Sequence, residues 1–166
     1  ITVQSHGAYP TYKVFDDPYI DVSGGETEDE NYQWEYYINE LYEVDQFIGE
    51  LIDELSERDE KTVVVMYGDH IPTMGLEEDD VACGDLFKTT YVTWNNFGLD
   101  FKSDEVSAYE LTSYITDQIG IHEGTIFTFE QANSSYAGGD ENSLEDYKKG
   151  LELLQYDMLY GNKYVY

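Results

Sequence analysis

One short apolar run constrains the fold of this 166-residue chain more than any other feature. Residues Thr62 to Met66 read TVVVM, and their β-branched side chains would lie on both faces of a strand. A strand that is apolar on both faces is typical of a parallel sheet covered by helices on either side. The run therefore predicts a buried parallel strand, and a second strand is predicted at Thr89 to Trp94.

Helical periodicity flanks these strands. A long helix is predicted from Tyr32 to Arg58, because apolar residues recur there at steps of three and four and form one stripe. A second helix is predicted to open at the capping box Ser107–Glu110 and to stop at Gly120. A third begins near Ser143. Alternating strands and helices predict a layered α/β/α fold, and the small number of strands suggests part of a larger sheet.

One more strand and two polar segments complete the predicted organisation. Ile1 to Gln4 is predicted as a short strand, and His6 lies in the loop that follows it. Segments 16–31 and 133–142 contain acidic residues and glycine and are predicted as surface loops. The length of the chain, residues 1–166, suits one domain.

The charge of the chain excludes several classes of partner. Eight Lys and Arg against 36 Asp and Glu give a net charge of −28. Binding to nucleic acid and docking on a surface of anionic lipid head groups both need a basic surface, so neither is expected. The 41% hydrophobic and 16% aromatic content argues against a disordered acidic chain. The single cysteine, Cys83, forms no intrachain disulfide.

Two positions at predicted strand ends have residues suited to chemistry. Asp69 and His70 directly follow the apolar run, and ligands bind outside the carboxyl ends of strands in open α/β sheets. A carboxylate beside an imidazole suits manganese, zinc or iron, although an adjacent Asp-His pair is common and two ligands do not complete a metal site. His6 follows the predicted first strand and could converge with His70 to bind an anionic oxygen or to act as an acid or base. The alternative is an ordinary loop histidine bonded to the backbone.

Several segments resemble one family when they are taken together. The stretch TVVVMYGDHIP resembles the sulfatase-like branch of the alkaline phosphatase superfamily, and most closely the lipoteichoic acid synthases and related phosphoglycerol transferases of Gram-positive bacteria. The agreeing segments occur in the same order along nearly the whole chain: Thr2–Gly7, Val44–Ile48, Tyr67–His70, Trp94–Gly98 and Leu153–Gly161.

The resemblance implies a membrane-anchored enzyme with its catalytic domain on the extracellular face of the bacterial membrane. Such enzymes move glycerol phosphate from phosphatidylglycerol onto a glycerol-phosphate polymer through a covalent threonine intermediate. One divalent metal is implied, manganese first, with magnesium or zinc as alternatives. Asp69 and His70 match two of its ligands, and His6 matches a histidine that contacts the phosphoglycerol group.

The chain departs from this family in what it lacks. The family's glutamate ligand and threonine nucleophile belong to the amino-terminal half of the domain, and no threonine here matches the nucleophile. Residues 1–166 are therefore expected to be the carboxy-terminal piece of a sulfatase-like catalytic domain, with the nucleophile upstream of residue 1. By itself the piece is expected to be inactive and to hold metal weakly. The alternatives are a non-catalytic acidic binding module at the cell surface, or a sulfatase or phosphodiesterase on the same scaffold.

Overall fold

The computed structural model describes residues 2–133 and 141–165. Its helices and strands, in chain order, are α1 (Glu28–Ser56), β1 (Val63–Tyr67), β2 (Tyr91–Asn95), α2 (Leu111–Gln118), α3 (Thr125–Asn133) and α4 (Glu141–Leu159). They form two compact units, Ile1–Gly98 and Leu99–Tyr166. The mixture of helices with a small sheet confirms the predicted α/β class. Within the described residues, no helix combines the length and apolarity of a membrane span.

The long helix α1 begins before its predicted start, inside the segment 16–31 that was expected to be a loop. Thr27 caps it, because its hydroxyl oxygen accepts the N–H of Glu30 at 3.1 Å. The Glu30 carboxylate accepts the N–H of Glu26 at 2.7 Å. These bonds satisfy backbone donors that a helix start otherwise leaves unpaired, and carboxylates in a first turn also suit the helix dipole. The spacing of Thr27 and Glu30 was the signal that the sequence analysis missed.

The two strands pair antiparallel, so the predicted parallel strand is wrong. The register places Val63 opposite Asn95 and Tyr67 opposite Tyr91. A parallel pair needs a crossover connection, usually a helix, whereas residues 68–90 contain only a single 3-10 turn. The first four residues of β1 are half-buried rather than buried. A β-branched run therefore predicted the strand but not its direction or depth.

The amino-terminal segment is a turn rather than the predicted strand Ile1–Gln4. Ile1 lies outside the described residues, and the residues after it form no strand. The N–H of His6 donates to the carbonyl of Val3 at 3.3 Å, and Ser5 adopts a positive φ of 66°. Tyr9 is buried and its hydroxyl donates to the Ser5 carbonyl at 3.1 Å. These bonds hold the turn that carries His6, and they use backbone groups that a strand would offer to a neighbour.

Asn96 fixes the connection between α1 and β1. Its carboxamide oxygen accepts the N–H of Thr62 at 2.9 Å. Its amide group donates to the carbonyls of Leu55, Arg58 and Glu60 at 2.9 to 3.2 Å. One side chain therefore joins the end of the helix to the start of the strand that leads to the Asp-His pair.

The unit Leu99–Tyr166 contains most of the buried apolar side chains. The predicted stripe on α4 is confirmed, because its members are buried or half-buried: Leu144, Tyr147, Leu151, Leu154 and Met158. They contribute to a core with side chains of α2, and the ring of Phe129 on α3 stacks on Tyr147. Helix α3 was not predicted from the sequence.

The predicted capping box before α2 forms only in part. The Glu110 carboxylate accepts the N–H of Ser107 at 3.3 Å, and the N–H of Glu110 donates to the Ser107 carbonyl at 2.9 Å. These bonds close a turn, so the helix begins at Leu111 rather than at the box itself. Gly120 has a φ of 76° and ends the helix where predicted. The predicted loop 133–142 falls largely outside the described residues, apart from the adjoining ends of α3 and α4.

Candidate functional site

The end of the sheet presents Asp69 and His70 to solvent. The N–H of Gly68 donates to the carbonyl of Thr90 at 3.3 Å, and the hydroxyl of Thr89 donates to the Gly68 carbonyl at 2.7 Å. These two bonds extend the pairing of the strands by one residue and fix the backbone just before the pair. Thr89 had no predicted role beyond the strand, and its contribution is to position this turn.

The Asp69–His70 pair is held by its own backbone. The Asp69 carboxylate accepts the backbone N–H of His70 at 3.0 Å. The Nδ1 atom of His70 lies 2.9 Å from the carbonyl of Ile71. Because a carbonyl can only accept, Nδ1 carries the proton, which leaves a lone pair on Nε2 of the neutral ring. That Nε2 atom lies 3.9 Å from Asp69 Oδ1, and both side chains are at least half exposed.

His6 repeats this arrangement from the amino-terminal turn. Its Nδ1 atom lies 2.9 Å from the carbonyl of Gly7, so its Nε2 atom also carries the lone pair of the neutral ring. The ring centroids of His6 and His70 are 6.1 Å apart, with an angle of 74° between the planes. The structure thus brings the two imidazoles together, although His6 arrives from a turn rather than from the predicted strand end.

The donor atoms fit a metal ion but do not complete its coordination. An imidazole whose Nδ1 donates to a backbone carbonyl is the usual arrangement behind a metal-bound Nε2. A carboxylate oxygen beside it gives the mixed oxygen and nitrogen donors that suit manganese or zinc. Yet residues 2–133 and 141–165 contain no group of three or more His, Cys, Asp or Glu placed to hold a metal. Asp69 and His70 therefore fit as two ligands of a larger set.

A cavity of about 540 Å³ lies between α1 and the segment that follows the Asp69–His70 pair in the sequence. One wall comes from α1 and the other from the segment that begins at Ile71, and the residues lining it include Glu30, Trp34, Tyr37, Ile71, Pro72 and Asp80. Burial raises the pKa of Tyr37, and the neighbouring Tyr9 raises it further, so its hydroxyl keeps its proton at neutral pH. The sequence did not predict this cavity, because Glu30 lies in the segment 16–31 that was predicted as a loop.

The other reactive side chains have local partners of their own. The single arginine, Arg58, forms an exposed ion pair with Glu54 at 3.3 Å. Cys83 is exposed, and its sulfur lies 3.3 Å from the carbonyl of Asp85. In the other unit, His122 contacts the side-chain oxygen of Gln131 at 3.0 Å, which agrees with a structural role for this histidine.

Comparison with known families places this geometry in context. The family described as Sulfatase matches residues 1–110, which include the whole unit carrying His6, Asp69 and His70. The chain belongs to the sulfatase family. Its α/β elements are compatible with part of a sulfatase-like domain, and the family is one of enzymes acting on sulfate and phosphate esters. No curated protein and no solved structure matches the chain significantly.

Proposed function

We propose that this chain is the carboxy-terminal part of a metal-dependent phosphoglycerol transferase similar to the lipoteichoic acid synthases. The observation that carries the proposal is the placement of Asp69 and His70 at the end of β1, with the His6 ring 6.1 Å from that of His70. Membership of the sulfatase family supports ester chemistry in general. The order of the five resembling segments supports the phosphoglycerol transferases within that family.

Asp69 and His70 are the residues that would hold the metal, with manganese as the first expectation and magnesium or zinc as alternatives. When bound, the metal would supply a Lewis acid and a sink for the charge of the phosphodiester. Because His70 Nδ1 donates to the carbonyl of Ile71, Nε2 of the neutral ring carries the lone pair that would bind the metal. Asp69, which accepts the His70 N–H through Oδ1, is fixed relative to the imidazole by the shared backbone.

His6 is the residue that would contact the substrate. Its Nε2 atom can accept a proton or, once protonated, donate to a phosphoryl oxygen. The Gly7 carbonyl orients the ring, so that this one nitrogen is presented. Arg58 is engaged with Glu54, and a chain of net charge −28 repels an anionic phosphodiester. Positive charge on His6 when it is protonated, and on a metal held by Asp69 and His70, would therefore decide where the substrate binds.

The remaining catalytic groups are proposed to come from the amino-terminal half of the same domain. They are a threonine nucleophile and a glutamate ligand, both upstream of residue 1. The expected substrates are a phosphatidylglycerol-type lipid and a glycerol-phosphate polymer as acceptor, at the extracellular face of a bacterial membrane to which the whole protein is anchored. Hydrolysis of a sulfate or phosphate ester on the same scaffold is the second candidate, and the family match favours it equally.

Substitution of the pair in the full-length enzyme tests the proposal. Asp69→Ala and His70→Ala should each lower release of diacylglycerol from phosphatidylglycerol by more than about 100-fold, because even the outer partners of metal ligands contribute 10- to 100-fold. Bound metal, measured by elemental analysis, should fall in parallel. Asp100→Ala and His122→Ala are matched controls, since each removes the same kind of group from an exposed position in the unit Leu99–Tyr166.

Three outcomes separate the alternatives. Retained turnover in Asp69→Ala or His70→Ala rejects the metal assignment. Release of sulfate from an aryl sulfate but no diacylglycerol by the unsubstituted enzyme, with that activity and the metal both lost in the two variants, favours a sulfatase. A full-length protein that binds neither metal nor substrate favours the non-catalytic binding module.

A further inference from the structure

The cavity between α1 and the segment that begins at Ile71 has an aromatic corner. Glu30, Trp34 and Tyr37 follow one another on α1 at steps of four and three, so their side chains share one face of the helix. The ring centroids of Trp34 and Tyr37 are 5.9 Å apart, with an angle of 75° between the planes. Tyr9 meets Tyr37 edge to face at 5.9 Å and fixes its ring. Two nearly perpendicular rings therefore form the corner of the cavity.

The charges around this corner are all of one sign. Glu30 and Asp80 line the cavity, and no lysine, arginine or histidine does so within the described part of the chain. Each carboxylate is anchored by a backbone N–H, from Glu26 at 2.7 Å and from Glu77 at 2.8 Å. The net charge of −28 adds a negative field around the molecule. An anion is disfavoured here, and a cation is attracted.

We propose that this cavity is a binding site for an alkylammonium group, of the kind that choline carries. A weakly hydrated organic cation is attracted to the faces of aromatic rings, most strongly to tryptophan, and sites for quaternary ammonium groups use this interaction. The carboxylates of Glu30 and Asp80 would balance its charge. A volume of about 540 Å³ is within the ordinary range for small-molecule sites and leaves room for the rest of a larger ligand.

The inference does not rest on the proposed transferase activity. It concerns a separate set of side chains, and binding can be measured without turnover or metal. Failure of cation binding would leave the expected effects of Asp69→Ala unchanged, and loss of the metal site would leave cation binding in place.

Titration of the chain with choline chloride tests the site. Calorimetry should show saturable binding, and the indole N–H signal of Trp34 should shift in nuclear magnetic resonance spectra. Trp34→Ala should weaken binding at least tenfold, whereas Trp34→Phe should retain part of it, because phenylalanine keeps an aromatic face. The neutral isostere 3,3-dimethylbutan-1-ol should bind at least tenfold more weakly than choline.

A pair of charge-matched variants separates the local carboxylate from the overall field. Glu30→Gln and Glu50→Gln remove the same charge from α1, but only the first lines the cavity, and glutamine also serves in a capping box. Glu30→Gln should weaken choline binding several-fold more than Glu50→Gln. Equal binding of choline and its neutral isostere, unchanged affinity in Trp34→Ala, preferential binding of glycerol, or no saturable signal would each overturn the proposal.

Discussion

The two compact units of this chain differ in how much apolar and acidic surface they bury. The unit Ile1–Gly98 leaves Asp69 and His70, the proposed metal ligands, in solvent, and its buried residues among those described are Tyr9 and Asn39. The unit Leu99–Tyr166 buries most of the apolar core and also encloses two acidic side chains, Glu110 and Glu130. The candidate site therefore lies in the unit with the smaller core, and most of the apolar packing lies in the other. Substitutions can test this division directly.

The largest effect is expected from the same substitution made once in each unit. Leu151 is 6% exposed on α4, whereas Leu41 is 39% exposed on α1. Leu151→Ala should lower the free energy of unfolding by roughly 2–5 kcal/mol, because it leaves a cavity in the core. Leu41→Ala should lower it by less than about 1 kcal/mol. Denaturant unfolding followed by circular dichroism measures both.

The two leucines serve as controls for each other, since both lie in helices and lose the same atoms. Equal losses would show that the unit Ile1–Gly98 has an apolar core as important as that of its neighbour in the chain, and the comparison would fail.

A smaller effect is expected from removing a polar clamp in the unit Ile1–Gly98. Asn39 is 2% exposed, its side-chain oxygen accepts the N–H of Ile20 at 3.1 Å, and its amide donates to the carbonyls of Ile20 and Glu35. Asn39→Ala should destabilise this unit by roughly 1–3 kcal/mol, because the part-buried N–H and carbonyl of Ile20 lose their partner. Both tryptophans, Trp34 and Trp94, lie in this unit, so their fluorescence reports its unfolding selectively.

Gln46→Ala is the matched control for Asn39→Ala, because Gln46 is an exposed amide on the same helix. The polar clamp should contribute more than the apolar Leu41. The reverse order would mean that apolar packing, rather than hydrogen bonding, holds this unit together.

The smallest effect is a pH dependence in the unit Leu99–Tyr166. Burial raises the pKa of Glu130 above its ordinary value of 4.5, a hydrogen bond from Ser113 lowers it in part, and the nearby Glu110 raises it again. The folded state therefore keeps a proton that the unfolded chain releases. This contribution to stability is complete below about pH 4.5 and is lost as the pH rises through the raised pKa.

Glu130→Gln should reduce this dependence, so that melting temperatures at acid and neutral pH differ less than in the unsubstituted chain. Glu123→Gln removes one exposed carboxylate from the same unit and controls for the general effect of net charge. An identical pH profile in Glu130→Gln and in the unsubstituted chain would show that this carboxyl does not titrate differently on folding.

Local sequence patterns predicted the helices and strands better than they predicted how those elements pair with one another. The stripe on α4 and the stop at Gly120 depend on residues near in sequence, and both were confirmed. The direction of β1 depends on which strand lies beside it, and a run such as Val63 to Met66 carries no information on that point. The start of α1 at Glu28 was also missed, because an acidic, glycine-containing stretch obscured the cap at Thr27.

The same limit applies to the site. The strand end and the family resemblance both indicated Asp69 and His70 as candidate metal ligands. The approach of His6 to His70 was predicted by placing each histidine beside a strand end. The hydrogen bonds from the imidazoles to backbone carbonyls depend on the local conformation, so the sequence did not predict them. The cavity lined by Trp34 required the fold, because its two walls come from segments that are far apart in sequence.

Asn96 has a consequence for how the connection between α1 and β1 can change over evolution. All of its partners are backbone atoms: the carbonyls of Leu55, Arg58 and Glu60 and the N–H of Thr62. Side chains in this turn are therefore free to be replaced, whereas inserting or deleting a residue would displace the carbonyls from the carboxamide. Relatives should therefore differ widely in the amino acids that stand at residues 57–61. The number of residues in this connection should hardly vary.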